Sequence, residues 1–179
     1  MAKLQQMHLM RNVMDTYGWQ GIFLVQQAYE KVIRSNNEVE CDPVDRKIWL
    51  LRILLKVQIF LWLCRWEGLI TSDLRHKRMR SDLNAYPLCG LHSDSATHIF
   101  SSCLITDKIW RLVCLEPLPP WDAMWQRFIN PVRPLGAMAA VLWCVWRARN
   151  DKLFQGRPVR CENVVKECWS LIHSWATFL

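Results

Sequence analysis

Three candidate metal ligands lie close together in the segment YPLCGLHSDSATHIFSSC (residues 86–103, the knuckle segment). They are Cys89, His98 and Cys103, and thiolate and imidazole are ligands that structural zinc sites prefer. Such a site takes four ligands, which proteins commonly supply as two short pairs. His98 and Cys103 form the second pair, but Tyr86 occupies the position three residues before Cys89. A phenol binds zinc poorly at neutral pH, so Tyr86 weakens the predicted site.

The incomplete ligand set leaves several interpretations open. In the one that we favour, the segment descends from a four-ligand zinc site and has lost a ligand, so zinc affinity is weak or absent. In the second, His92 substitutes for the missing ligand. In the third, water completes an open site of the catalytic type, which is the least supported because no carboxylate stands at a recognisable spacing to act as a base. The alternative without a metal is that these are ordinary buried cysteines.

A basic segment precedes the knuckle segment. Its candidate phosphate ligands are Arg75, Lys77, Arg78 and Arg80, because long cationic side chains bind phosphates. Nearby rings, namely Trp62, Trp66 and Tyr86, could stack on unpaired bases. The net charge of +7 suits RNA or DNA as a partner. The equally weighted alternative is a solvated helix face with the tryptophans in the core.

Helices must position these groups. The apolar run IWLLRILLKVQIFLWLC (residues 48–64) predicts a buried helix that begins near Arg46 and ends by Gly68. The run is too short and too interrupted by polar residues for a membrane span. A second helix is expected to begin at Thr71, Ser72 or Asp73, whose side chains can cap it, and to end near Met79.

The second half of the chain also predicts helices. One should run from His98 to about Val113, with Ile105, Ile109 and Leu112 on one face.

Residues 115–135 contain five of the eight prolines and predict a connector with one helical turn at its middle. Residues 136–155 and 161–178 predict two helices separated by Gly156, which form an αα-hairpin. We expect Arg149 and Asn150 to cap or cross-link that hairpin.

Composition limits the class of protein. Hydrophobic residues make up 51% of the chain and charged residues 22%, which excludes a disordered tail. The eight cysteines lack the spacing of a disulfide framework, and the first thirty residues lack the apolar core of a signal peptide. These features predict an intracellular protein, nuclear or cytoplasmic, with reduced thiols.

Several segments together resemble one family. KIWLLRILLKVQIFLWLCRWEGLITSDL (47–74) resembles the stretch that leads into the reverse transcriptase zinc-binding domain of plant LINE-type (non-LTR) retrotransposon polyproteins. YPLCGLHSDSATHIFSSCLITDKIW (86–110) resembles its knuckle, usually Cys-Pro-x-Cys-Gly followed by His-x-Phe-x-x-Cys. GIFLVQQAYEKVI (21–33) is similar to the strand and helix that precede it, and LWCVWRARNDKLFQG (142–156) to a Trp-x-x-Arg-Asn segment that follows. The resemblance covers roughly residues 18 to 156.

The resemblance implies a zinc-knuckle-like module without catalytic activity. In the complete polyprotein an endonuclease and a polymerase come first, and an RNase H-like domain often follows; motifs of such enzymes are absent here. The implied partners are RNA or DNA and the reverse transcriptase domain of a parent polyprotein. The alternative is a helical protein-interaction scaffold, or a degenerate fragment that binds neither metal nor nucleic acid. Leu54 and Leu55 replace prolines that are usual in the family, which predicts one continuous helix there.

The expected architecture is therefore mainly α, a helical domain with a short zinc-knuckle-like loop and a C-terminal αα-hairpin. Four parts are expected along the chain: a loose N-terminal segment (1–18), a reverse transcriptase zinc-binding-like domain (19–113), a Pro-rich connector (114–135) and a C-terminal helical hairpin (136–179).

Overall fold

A computed structural model describes residues 42–79, 85–131 and 134–176. All of them lie in one of the chain's two compact units, Cys41–Leu179. The predicted N-terminal segment, the strand and helix expected at 21–33, and Arg80 lie outside the described residues.

The described residues are mainly helical, as predicted, and contain no strand beyond a single bridge between Ala85 and Ser93. The elements in chain order are α1 (Pro43–Leu50), α2 (Leu55–Arg65), α3 (Ser72–Met79), a π-helical turn (His98–Ser102), α4 (Leu104–Cys114), α5 (Trp121–Ile129), α6 (Leu135–Gln155) and α7 (Cys161–Ala176).

Helices α1 and α2 are separate, so the prediction of a continuous helix across Leu54 and Leu55 is wrong. The reason is the phase of the buried residues. Ile48 and Val57 are both fully buried, but they are nine positions apart. At about 100° per residue an unbroken helix would place them on opposite faces. The extended backbone at Leu54 (ψ 134°) changes the direction of the chain between the helices, so Ile48 of α1 and Val57 of α2 both face the core.

Polar side chains stabilise both ends of α1. The Asp42 carboxylate caps the first turn and accepts hydrogen bonds from the amides of Val44 (2.8 Å) and Asp45 (3.3 Å). Gln58 reaches back from α2 and donates to the carbonyl of Leu51 at 2.7 Å. The break between the helices therefore has its own hydrogen-bond partner.

Helix α5 is longer than the single turn expected in the Pro-rich connector. It packs against α1 and the π-helical turn and buries Met124, Trp125 and Phe128. Pro120 precedes its first residue, where the missing N–H costs nothing because the first amides of a helix have no intrahelical acceptor. The prolines thus delimit a core helix.

Helix α6 lies at the centre of the core and contacts α2, α4, α7 and the π-helical turn. It is buried on most sides, as expected for a helix surrounded by others. Gly156 ends it in the left-handed region (φ 64°), where glycine carries no steric cost. Helix α7 packs along α6, and the Cys168 thiol donates to the Ala140 carbonyl at 3.8 Å.

Two other expectations concern surfaces. Leu112 was expected on the buried face of α4, but 49% of it is exposed. Ile109 is buried as expected, and Val113 faces the core in place of Leu112. Among the described residues no helix has the length and apolar character needed to cross a bilayer.

Candidate metal site

A tight turn carries the first candidate ligand. The amide of Tyr86 donates to the His92 carbonyl at 2.7 Å, and the amide of Gly90 donates to the Tyr86 carbonyl at 2.8 Å. Gly90 adopts a positive φ of 66°, which explains why glycine follows Cys89. These bonds close the loop and place the Cys89 thiol on its inner side.

The other two ligands come from a distorted helical segment, so the prediction of one helix from His98 to Val113 is wrong. In an α-helix, residues five apart point about 140° away from each other. Here the Cys103 amide instead donates to the His98 carbonyl (3.0 Å) in a π-type turn, and the Cys103 backbone is extended (ψ 128°) before α4 begins. This geometry lets both side chains face Cys89.

The structure brings Cys89, His98 and Cys103 together. Their ligand atoms all lie within 4.8 Å of one another, and Cys89 Sγ is 3.2 Å from His98 Nε2. Around a tetrahedral zinc ion with bonds of about 2.0–2.3 Å, adjacent ligand atoms lie about 3.3–3.8 Å apart. The cluster therefore fits three corners of such a site after small inward shifts of the thiols.

His98 is oriented as a metal ligand requires. Its Nδ1 lies 3.2 Å from the Ser102 hydroxyl, which leaves Nε2 directed at the Cys89 thiol. A hydrogen bond on the second ring nitrogen is the usual way to fix the ligating tautomer. Burial, with a smaller contribution from His92, lowers the pKa of His98 and favours the neutral imidazole that a metal binds.

Tyr86 fills the fourth side of this cluster. It is fully buried, and its ring packs edge-on against His98 with centroids 5.4 Å apart. Burial, followed by the nearby Cys103 thiol, raises the pKa of Tyr86 well above its usual value. Its hydroxyl lies near the Thr106 hydroxyl, yet it forms no hydrogen bond with any described residue. The proposed stacking of Tyr86 on a nucleobase is therefore wrong.

The Tyr86 phenol cannot simply replace a thiol. A phenol oxygen lies much farther from its backbone than a thiol sulfur does, so the ring itself occupies the space beside the ligands. Three donors of this chain thus fit zinc, and Tyr86 does not. His92 is exposed, and its ring lies 4.8 Å from that of His98, on the rim of the cluster.

A buried ion pair fixes the knuckle segment to the core, and sequence reasoning did not find it. Asp94 and Arg149 are 2% and 1% exposed. Arg149 donates to both carboxylate oxygens, from Nε to Oδ1 at 3.1 Å and from Nη2 to Oδ2. The Ser72 amide donates to Asp94 Oδ2 at 2.9 Å, and the Asp73 amide donates to its carbonyl at 3.2 Å. One aspartate therefore joins the knuckle segment, α3 and α6.

Arg149 was expected to cap or cross-link the C-terminal hairpin, which is wrong. Its guanidinium instead reaches a partner 55 positions earlier in the chain. It also meets the Asn150 side-chain oxygen, at 2.7 Å from Nη1, and the face of Trp146, at 4.8 Å from the guanidinium carbon. Nothing in the local sequence marks Asp94 as the partner.

The described basic residues expected to bind nucleic acid lie on α3. Lys77 and Arg78 are exposed, whereas Arg75 is half-buried. Lys77 pairs with Asp73 at 2.8 Å, one turn earlier, and this hydrogen bond raises the pKa of Lys77. The structure thus presents two cations to solvent at the end of α3.

Comparison with known proteins places the chain among retroelement sequences. Residues 23–110 match the family described as zinc-binding in reverse transcriptase. A curated protein of Arabidopsis thaliana, named "Putative ribonuclease H protein", is 25% identical over an alignment of 192 residues. The alignment covers 94% of this chain but only 29% of that protein. No solved structure matches the chain.

Proposed function

From the match of residues 23–110 to the family described as zinc-binding in reverse transcriptase, which bears out the family resemblance, we propose that the chain is a non-catalytic nucleic-acid-binding module. The module derives from a retroelement reverse transcriptase and would help such a polymerase hold RNA or DNA. Its metal site is three-sided and binds zinc more weakly than a complete four-ligand site. The observation that carries the proposal is the convergence of Cys89, His98 and Cys103 inside the matched domain.

The metal part of the proposal follows from ligand count. Three protein ligands hold zinc when water or a fourth side chain completes the tetrahedron. His92 lies at the rim, so a loop rearrangement could recruit it, while the Tyr86 ring fills the space where the family's first cysteine stands. We therefore expect the purified chain to carry well below one zinc per molecule.

Elemental analysis of the purified chain tests this expectation. Tyr86→Cys restores the fourth thiol, so its zinc content should rise toward one per chain. Stoichiometric zinc in the unmodified chain would contradict the three-sided site. If that zinc is then lost in His92→Ala, His92 is the fourth ligand.

The nucleic-acid part of the proposal rests on α3. The exposed cations Lys77 and Arg78 lie on a short helix whose start is fixed to the knuckle segment through Asp94. Phosphate binding releases counterions, so affinity should fall as salt rises. The net charge of +7 favours the same encounter.

A salt series of single-stranded RNA gel shifts tests this part. The double variant Lys77→Ala/Arg78→Ala should bind more weakly, and its log–log salt slope should be shallower by about 0.7 for each phosphate that the variant no longer neutralises. The matched control is Lys108→Ala/Lys166→Ala, which removes two charges from α4 and α7. Absence of binding by the unmodified chain at low salt, or equal losses of affinity in both variants, would refute the α3 site.

A protein-interaction scaffold is the second candidate. Leu55, Ile59 and Trp62 follow helical spacing along α2 and are 63%, 42% and 38% exposed. An exposed apolar stripe commonly marks a contact surface, and the reverse transcriptase domain of a parent polyprotein is the partner that the family implies. Ile59→Arg should abolish co-purification with such a domain and leave RNA binding unchanged; persistence of the complex would exclude this surface.

A further inference from the structure

A cavity of about 420 Å³ opens between the end of α2, the link to α3 and helix α6. Its lining includes Leu69, Ile70, Trp146, Arg149, Asn150 and Phe154. The volume falls in the range of small-molecule sites, which are mostly apolar with a few polar groups. This cavity is separate from the cysteine-histidine cluster, and neither the zinc nor the phosphate contacts proposed above use it.

Two kinds of group in the cavity suit a flat heteroaromatic ligand. The rings of Trp146 and Phe154 supply aromatic surface, and Phe154 is 71% exposed without a covering group in the described part of the chain. The Asn150 side-chain oxygen accepts from Arg149, which leaves its amide nitrogen as a donor. Among the described residues this nitrogen forms no hydrogen bond. It can donate to a carbonyl oxygen or ring nitrogen at the edge of a base.

The cavity is adjacent to the cations of α3. Ile70, which lines the cavity, lies two residues before the first residue of α3. Arg149, in the wall of the cavity, and the Ser72 amide, at the start of α3, both donate hydrogen bonds to the Asp94 carboxylate. The cavity is therefore close to the start of α3. At about 1.5 Å per residue, Lys77 and Arg78 lie only about 8–9 Å along the helix from Ser72.

We propose that this cavity receives one unpaired base of a single-stranded nucleic acid whose phosphates lie along α3. This inference rests on the proposed nucleic-acid function and adds that the bound nucleic acid is single-stranded. A paired base enters such a pocket only after it has been unpaired and unstacked, at an energetic cost, whereas a single-stranded base stacks on protein rings readily. The Arg149 guanidinium stays with Asp94 and acts as a wall of the pocket, so the phosphate contacts come from α3.

The test compares two fluorescein-labelled strands of equal length, oligodeoxyadenylate and the same backbone with abasic positions. The unmodified chain should bind the base-containing strand about tenfold more tightly, the effect of roughly one stacked base. Phe154→Ala should abolish that preference and leave affinity for the abasic strand and the salt slope unchanged. Leu112→Ala, which truncates an exposed leucine on α4, is the matched control and should bind like the unmodified chain.

The outcomes separate this inference from the proposed function. If the unmodified chain binds both strands with a strong salt dependence and Phe154→Ala keeps the base preference, the pocket assignment is overturned while α3 binding stands. If no strand binds at low salt, the nucleic-acid function fails and this inference falls with it. If the chain forms dimers that Phe154→Ala dissociates while base preference persists, a second copy occupies the pocket and the base assignment is wrong.

Discussion

The knuckle segment contains two polar centres, the Asp94–Arg149 ion pair and the cysteine-histidine cluster. They differ in whether each of their polar groups has a partner. At Asp94, both carboxylate oxygens and the backbone carbonyl have partners, and the paired Arg149 also touches Asn150 and Trp146. At the cysteine-histidine cluster, three donors converge and the fourth side is filled by a phenol whose hydroxyl has no partner among the described residues.

The difference indicates which centre holds the knuckle segment in place. A buried ion pair is costly to break because the remaining charge is left without solvent or partner. A three-sided metal cluster with an aromatic ring on its fourth side can stay folded as an apolar cluster, since Tyr86, Cys103 and Ile99 are already fully buried. We infer that the Asp94–Arg149 pair, together with this packing, positions the knuckle segment without metal.

The largest effect should come from Arg149→Met, which keeps much of the side-chain volume but leaves the Asp94 carboxylate unpaired. We expect the free energy of unfolding to fall by about 3–5 kcal/mol, measured by urea denaturation. Arg147→Met is the matched control two residues away, because Arg147 pairs with Glu167 at the surface, with 46% and 37% of their side chains exposed. That variant should lose no more than about 1 kcal/mol. Equal losses of unfolding free energy in the two variants would contradict the claim that the buried ion pair stabilises the fold more than the surface pair does.

A double variant sharpens the same comparison. Asp94→Asn keeps an acceptor for the Ser72 amide and removes the charge that Arg149 neutralises. Combined with Arg149→Met, it should lose less stability than the sum of the two single losses, by about 1–3 kcal/mol, because neither charge is then left alone. Additive losses in urea denaturation would mean that the two side chains contribute independently.

An intermediate effect is expected for Tyr86→Cys without metal. Removing the buried ring leaves a cavity, so the unfolding free energy should fall by about 3 kcal/mol. Zinc should restore much of it, by about 2.7 kcal/mol when free zinc reaches a hundredfold excess over the dissociation constant. Thermal melts with and without zinc measure both quantities. If zinc does not stabilise this variant, a cysteine at position 86 does not supply the fourth zinc ligand.

The smallest effect is expected for Tyr86→Phe. It keeps the ring against His98 and removes a buried hydroxyl that lacks a hydrogen-bond partner among the described residues. Because such a group gains no compensation for lost hydration, its removal should leave stability unchanged or raise it by about 1 kcal/mol. A decrease of more than about 1 kcal/mol in urea denaturation would mean that the hydroxyl has a structural partner.

The sequence predicted much of the helical framework. The start of α3 follows from its polar N-terminal residues, and the end of α6 follows from Gly156, because these are local signals. It also predicted that Cys89, His98 and Cys103 occur at a ligand spacing. That spacing, together with the family resemblance, was enough to locate the candidate site.

Three features were beyond local sequence reasoning. The break between α1 and α2 depends on which face of each helix meets the core, a tertiary property that overrides the apolar run. The π-type turn before Cys103 depends on the packing of the knuckle segment. Asp94 and Arg149 are separated by 55 positions, and no sequence rule pairs one aspartate in a polar loop with one arginine in a long helix.

The central claim is that the Asp94–Arg149 pair and apolar packing, and not a metal ion, hold the knuckle segment. The most direct test is thermal unfolding of the unmodified chain, followed by circular dichroism, with excess chelator and with added zinc. The account predicts midpoints within about 2 °C of each other, equivalent to less than about 1 kcal/mol for a chain of this size. Disappearance of the helical signal on chelation, or a midpoint lowered by about 10 °C, would contradict it.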